Sequence, residues 1–336
     1  MGDRRQTAPG LFHPRYWGSW LGVGLYWLVS RLPVRLRMRL GARVGDLHYR
    51  TSEKRRRISG INLRIAFPEL DEAERRDLQR RFFRRAGQAM LDYGALAWHR
   101  PEAIRHRIRV QGREHLEQAR REGKGVILLT AHSVGLDAGA LYFSLIGRVA
   151  GPFKPARNPV ANWLMARLRT RFGTEVFARD EGLRPLIRAV KGGRLLYYIP
   201  DEDLGAKNAV FAPYFGVEKA TIATLGRLAR MCDAEIIPCM TWIEPERGGY
   251  RVVIEEPLAG LASDDEATAA ARMNRAMEAM LRERPDQYMW GMRFFNTRPE
   301  GQGSPYRHEN PLPERVDGKA YDRGSQAGSA GLRRSR

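Results

Sequence analysis

Apolar residues in this chain recur with two different periods, and the change between them marks its organisation. From residue 108 onward, short apolar runs alternate with stretches in which apolar side chains return every three or four positions. The runs at 108–110, 126–130 (VILLT), 149–155, 176–178, 193–200 (GRLLYYIP), 235–243 and 250–255 read as strands. The intervening segments 112–122, 136–146, 158–171, 183–191, 218–231 and 264–284 read as helices. This alternation predicts an α/β fold, with a largely parallel central sheet flanked by helices. In such sheets, sites gather at the C-terminal ends of the strands. No internal repeat is visible.

Before residue 108 the pattern is helical. Residues 71–98 carry strong periodicity, and Phe82, Phe83, Ala86, Met90 and Tyr93 fall on one face expected to pack in the core. Residues 16–30 lack charge and bring Trp17, Trp20, Tyr26 and Trp27 together, the chemistry of a membrane interface. That run is shorter than the roughly 20 residues of a spanning helix, and Arg31 closes it. No leader pattern with a cleavage site follows, so no removed signal peptide is expected. Residues 34–44 (VRLRMRLGARV) alternate arginine with apolar side chains, which suits a helix lying on an anionic bilayer; an amphipathic core helix is the alternative. The arginines after the apolar run predict that the following domain lies on the cytoplasmic side. Beyond Pro299 the composition shifts to Gly, Ser, Pro and Arg. The division expected is therefore a membrane-anchoring segment at 1–45, an α/β domain at 46–299 and a disordered basic tail at 300–336.

Charge narrows the partners. Lysine and arginine outnumber aspartate and glutamate by 58 to 38, a net +20, which calls for a polyanionic partner: nucleic acid, anionic lipid or an acidic protein. Nothing resembles a helix-turn-helix, an RNA-recognition motif or a zinc module, so nucleic acid is set aside. Cys232 and Cys239, the two cysteines, suggest neither a disulfide framework nor a zinc site.

Candidate chemistry is concentrated in GKGVILLTAHSVGLDAG, residues 123–139, where a strand-like run ends on His132 and Asp137. On one continuous helix a five-residue spacing would turn the two side chains roughly 140° apart. With His132 in the turn and Asp137 in the first turns of the next helix, the chain can fold back so that the carboxylate accepts the imidazole N–H. That would fix the tautomer and leave the other ring nitrogen as a general base. Ser133 lacks a G-x-S-x-G elbow, so the attacking group is expected to belong to a substrate. A second loop at a strand end, DEDLG at 201–205, follows the run at 193–200.

Six strings now agree in order: LFHPRYWGSWLG, KRRRISGINLRIAFPEL, the His132/Asp137 pair, KPARNP with its arginine-bearing helix, IPDEDLGAKNAVFAPYFGVEKATIATLGRLAR and RPDQYMWGMRFFNTRPEG. Over about residues 11–300 the chain resembles the late acyltransferases of lipid A biosynthesis, lauroyl/myristoyl type, of the lysophospholipid acyltransferase superfamily. The resemblance implies transfer of a fatty acyl group from an acyl carrier protein thioester to a hydroxyl of a Kdo-bearing lipid A precursor, without metal or dissociable cofactor. It implies that His132 deprotonates the acceptor hydroxyl and that Asp137 orients His132. Arg169 and Arg179 match arginines of the family pattern, expected to hold phosphates or a carboxylate, and Asp201, Asp203 and Gly205 match an Asp-x-Asp-x-Gly loop in the substrate site. For Asp201 a capping or salt-bridging role remains open. Phe211, Tyr214, Phe215, Trp290 and Phe294 either line an acyl channel or pack the core. The implied partners are acyl carrier protein, the lipid precursor and an anionic membrane, the implied place the cytoplasmic face of the inner membrane. Two other readings stand beside this one: acyl transfer to a lysophospholipid, aminolipid or glycolipid, and a non-enzymatic basic protein bound to anionic lipid, which leaves His132 without a role.

Overall fold

In the computed structural model, residues 10–178, 181–207, 209–307 and 310–316 are described. The chain begins with four helices, α1 (Trp17–Ser30), α2 (Val34–Thr51), α3 (Glu53–Ala66) and α4 (Glu72–Trp98), followed by the short α5 (Pro101–Arg105). Alternation then sets in, with β1 (Ile108–Gln111), α6 (Arg113–Arg121), β2 (Gly125–Leu129), α7 (Leu136–Ile146), β3 (Val149–Phe153), α8 (Pro159–Thr170), β4 (Glu175–Ala178), α9 (Arg184–Lys191) and β5 (Leu195–Tyr198). A hairpin of β6 (Ala209–Tyr214) and β7 (Val217–Ile222) precedes α10 (Leu225–Cys232), β8 (Ala234–Glu244), β9 (Gly249–Ile254) and α11 (Glu266–Glu283).

Seven strands form one sheet in the order β1-β9-β8-β2-β5-β3-β4, parallel throughout except for the antiparallel β8–β9 pair. β2 sits at its centre, and its Val126–Leu129 are buried on both faces, as a continuous apolar run in a covered parallel sheet requires. One face packs against α9, α10 and α11 through Ile127, Leu129, Leu196 and Tyr198; the other packs against α6 and α7 through Val126, Leu128, Leu195 and Tyr197. Helix α4 contributes to both cores, with Phe82 and Phe83 in the first and Leu96 and Ala97 in the second. Its start is fixed by a capping box of Asp71 and Glu74.

At three places the structure adds to or departs from the sequence reading. First, α2 follows the core-helix alternative and is packed within the fold. It lies so close to α4 that a Cβ on Gly45 would run into the Phe83 carbonyl, and one on Gly87 into the backbone of Gly41 and Gly45. Arg37 of α2 is 1% exposed, and its guanidinium is bound to Asp92 of α4, itself buried, at 2.7 and 2.8 Å. Arginine–apolar alternation alone does not reveal that one of the arginines points inward. Second, residues 218–231 do not form one helix, because 217–222 is the returning strand of the hairpin. The turn is Phe215–Gly216, both in the left-handed region at φ 52° and 74°. A two-residue turn with φ > 0 at both positions joins strands tightly, but phenylalanine at its first position hides it. Third, 300–307 and 310–316 are not free of the domain. Tyr306 is 2% exposed and donates to Asn62 Oδ1 at 2.5 Å, and Val316 N–H reaches the Gly216 carbonyl at 2.9 Å. Residues 317–336 lie outside the described residues.

Among the described residues no helix is long and apolar enough to cross a membrane. On α1, Trp17, Leu21, Leu25 and Leu28 are exposed at spacings that place them on one face. The opposite side rests on α4 and α8, where Trp20 meets Trp163 at a centroid distance of 5.1 Å.

Candidate active site

Strand β2 delivers His132 to the end of the sheet. After Leu129 the chain leaves the ladder and turns, and the segment 287–289 grips it: Val134 N–H donates to the Gln287 carbonyl and Met289 N–H to the His132 carbonyl, both at 2.9 Å. Ser133 is buried, its hydroxyl donating to the Thr241 carbonyl at 2.9 Å. β5, hydrogen-bonded to β2, ends beside this turn and brings Asp201 to it.

The imidazole Nδ1 of His132 lies 2.6 Å from Asp201 Oδ1, and the His132 backbone N–H donates to Oδ2 at 2.8 Å. The carboxylate that engages Nδ1 is thus Asp201, 69 residues downstream, rather than Asp137. Asp137, in the first turn of α7, accepts instead from Arg169 Nε of α8 at 2.9 Å. Both members of that pair are about a quarter exposed. The structure therefore splits the expected pair into two adjacent units, His132–Asp201 and Asp137–Arg169, set at the ends of neighbouring strands and the helices that follow them.

Asp201 has no exposed surface. Burial pushes its carboxyl up, but His132, by charge and two hydrogen bonds, and the nearby Lys219 more than offset this and hold it below the usual carboxylate range. Burial works against the Arg169 charge in the same way, and the Asp137 carboxylate overcomes it. The companion residues of the loop make contacts within the protein. Asp203 accepts the Gly205 N–H at 3.0 Å and the Thr297 N–H at 2.6 Å, tying the loop to the segment after α11. Gly205 takes φ 94°, a conformation side chains disfavour. Arg179 lies outside the described residues.

The constellation extends through two tyrosines: Tyr288, which carried no signal in the sequence, and Tyr214, weighed there only for an acyl channel or the core. Tyr288, 0% exposed, donates its hydroxyl to Asp201 Oδ2 at 2.9 Å, and Tyr214, 1% exposed, donates to the Tyr288 oxygen at 3.0 Å. The aromatic residues considered for an acyl channel resolve differently. Tyr214, Phe215, Trp290 and Phe294 are all within the core, packed ring to ring with Phe67 and Tyr288. Ala86 and Tyr93 pack against the cores as expected while Met90 is exposed, and the three also line a cavity of about 190 Å³ together with Val134, Asp137 and Met289. A narrower cavity of about 50 Å³ lies on the other side of Asp137, between Arg169, Ala140, Gly151 and Tyr197. A third, of about 340 Å³, opens beyond Pro200 between Tyr198, Leu186, Leu204 and Ile222, with Lys207 and Arg227 also in its wall. Among the described residues no cluster of His, Cys, Asp and Glu could hold a metal ion.

The site thus places a histidine held by a buried carboxylate at the end of a mostly parallel sheet, with largely apolar cavities at the neighbouring residues Val134, Asp137 and Pro200. Comparison with known proteins identifies the chain: residues 4–297 match the bacterial lipid A biosynthesis acyltransferase family, and the chain belongs to that family. It is 37% identical to the lipid A biosynthesis lauroyltransferase of Escherichia coli K12, over 91% of this chain and 100% of that one. It is 35% identical to the myristoyltransferase of the same organism, over 90% and 94% of the two chains. The palmitoleoyltransferase of that strain is 32% identical over 88% and 96%. The chain is thus an acyltransferase of lipid A biosynthesis.

Proposed function

We propose that this enzyme moves a fatty acyl chain from an acyl carrier protein thioester to a hydroxyl of a Kdo-bearing lipid A precursor, on the cytoplasmic face of the inner membrane. The observation that carries the mechanism is the 2.6 Å contact between His132 Nδ1 and a buried Asp201. With Nδ1–H held by the carboxylate, the nitrogen across the ring is the basic one. It accepts the proton of the acceptor hydroxyl as that oxygen attacks the thioester carbonyl carbon. The tetrahedral intermediate then breaks its C–S bond, and the departing sulfur takes the proton from the imidazolium. Asp201 keeps the ring in place and offsets its transient charge. A thioester is already activated, so positioning and base catalysis suffice without a covalent enzyme intermediate.

Arg169 supplies the cationic side. Its Nε is committed to Asp137, which leaves the planar fork of terminal nitrogens for a phosphate or carboxylate of the acceptor. The net charge of +20 suits both an acidic carrier and an anionic lipid. The exposed face of α1 suits attachment to the bilayer that holds the acceptor.

The reading is tested with the purified full chain in detergent micelles, supplied with acyl carrier protein thioester and the Kdo-bearing precursor. His132→Ala is expected to lower turnover at least about 100-fold, and Asp201→Asn to lower it in the same direction by tens- to hundreds-fold. Arg169→Ala is expected to raise the acceptor KM more than it lowers kcat. Product with a lysophospholipid but none with the precursor would overturn the acceptor, and full turnover by His132→Ala would overturn the mechanism.

A further inference from the structure

Behind Asp201 runs a chain of buried hydroxyls that nothing in the acyl-transfer chemistry strictly demands. Asp201 Oδ2 accepts two hydrogen bonds, from the His132 backbone N–H at 2.8 Å and from the Tyr288 hydroxyl at 2.9 Å; the Tyr288 oxygen in turn accepts from Tyr214 at 3.0 Å. Neither tyrosine has exposed surface with which to meet a substrate. Tyr288 is itself fixed on every side. Its ring stacks on Phe294 at 4.5 Å and meets Trp290 edge-on at 4.8 Å, and its backbone bridges to Ser133 beside the catalytic histidine. A buried carboxylate has up to four acceptor directions, and one left empty in an apolar core would cost free energy and let the group rotate.

We propose that Tyr288, seconded by Tyr214, is a positioning residue for acyl transfer: it fixes the Asp201 carboxylate in the orientation that holds the His132 ring and moderates the negative charge the ring feels. The proposal rests on the reading of His132 as the base. The groups around the carboxylate come from several elements: His132 after β2, Lys219 on β7, Tyr214 on β6, Tyr288 after α11, and Asp203 on the same loop, with Glu278 of α11 and Arg298 farther out. Lys219 and the Tyr288 hydroxyl both draw charge from Asp201. Losing the hydroxyl leaves more negative charge on the carboxylate, which favours the imidazolium and raises the pH at which His132 becomes a free base.

Tyr288→Phe keeps the ring contacts and removes the hydroxyl alone. In the micellar assay it is expected to lower kcat about tenfold, the scale of one hydrogen bond to a charged group, with both KM values within about twofold. The acid limb of its kcat–pH profile is expected to move up by about half a unit. Tyr214→Phe, which cuts the chain one link earlier, is expected to move both quantities in the same direction by less, and it stands in should Tyr288→Phe fail to fold. In a His132→Ala background Tyr288→Phe is expected to cost nothing further, since two residues acting through one function are not additive. A folded Tyr288→Phe enzyme with wild-type kcat and pH profile, alongside an inactive His132→Ala, would overturn this proposal and leave the base in place. A profile shifted to lower pH would overturn it as well. Full activity in His132→Ala would instead remove the reading beneath it.

Discussion

Lys219 sits in an environment that lysine rarely occupies. It is 0% exposed in the middle of β7, its ammonium donates to the Ala220 carbonyl at 3.2 Å, and the Tyr214 ring centroid lies 5.7 Å away. Burial pulls its pKa down to about 8 from 10.5, against the opposing pull of Asp201 and Asp203. Below pH about 8 both the folded and the unfolded chain carry this proton, and the folded chain bears the full cost of the buried charge. Between about 8 and 10.5 the unfolded chain binds more protons than the folded one, so stability rises with pH and the cost, on the order of a few kcal/mol, disappears. Urea unfolding at pH 7.5 and 9.5 reads this directly: the wild type is expected to gain on Lys219→Met between the two. Equal slopes for both proteins would show that Lys219 keeps an ordinary pKa. At this scale the sequence was legible only where chemistry is local. His132 stood out because an apolar run stops at it, and Asp137 because it is near in number. Asp201 is 69 residues away and reaches His132 only because β5 pairs with β2, a pairing that spacing does not encode. Tyr288 and Lys219 carry no local signal, and their contacts appear only once the strands around them are placed.

Helices and strands were legible where period and capping agreed. α7 spans the expected 136–146, and α4 starts at the Asp71 cap. The pattern failed where a polar side chain faces inward. β7 (VEKATI) buries Lys219 and Thr221, so its apolar alternation is hidden. α2 fails in the same way, and there the inward charge has a partner. Arg37 binds Asp92 Oδ1 through two nitrogens and also donates to the Leu32 and Ser30 carbonyls at 2.8 and 3.1 Å. Asp92 Oδ2 receives Arg107 and the Tyr250 hydroxyl, each at 2.7 Å. One carboxylate thus joins α2, α4, β9 and the approach to β1, and through Arg37 it satisfies carbonyls at the end of α1. Asp92→Asn leaves a buried guanidinium without its counter-charge, and breaking such a pair costs roughly 3–5 kcal/mol. The denaturation midpoint of Asp92→Asn is expected to fall accordingly. A loss below about 1 kcal/mol would mean that α2 is held by its glycine contacts with α4 alone.

At the scale of the molecule, the two faces of the sheet differ in what lies next to them. The Asp137 cavities lie on the face covered by α7, toward α4 and α8, the helices that carry α1. The larger cavity lies beyond the end of β5, walled by α9 and α10 on the other face. The strand ends that carry His132 and Asp201 lie between them, since Val134 and Asp137 wall one cavity and Pro200 and Glu202 the other. The exposed leucines and tryptophans of α1 then bear on which side meets the bilayer. Leu21 is 77% exposed and Leu25 59%, too much for a helix packed only on protein. Laid in a headgroup region, each leucine would contribute up to about 1.5–3 kcal/mol when fully buried. Leu21→Ser with Leu25→Ser removes that area without changing charge or any core contact. Co-sedimentation of the full chain with vesicles containing anionic lipid is expected to weaken at least about tenfold, while the unfolding midpoint stays put. Met231→Ser, a change of similar kind at an exposed position of α10, is expected to leave binding within about twofold. Undiminished sedimentation of the double variant, with salt alone releasing it, would mean that the arginines hold this protein to the surface and that α1 serves another purpose.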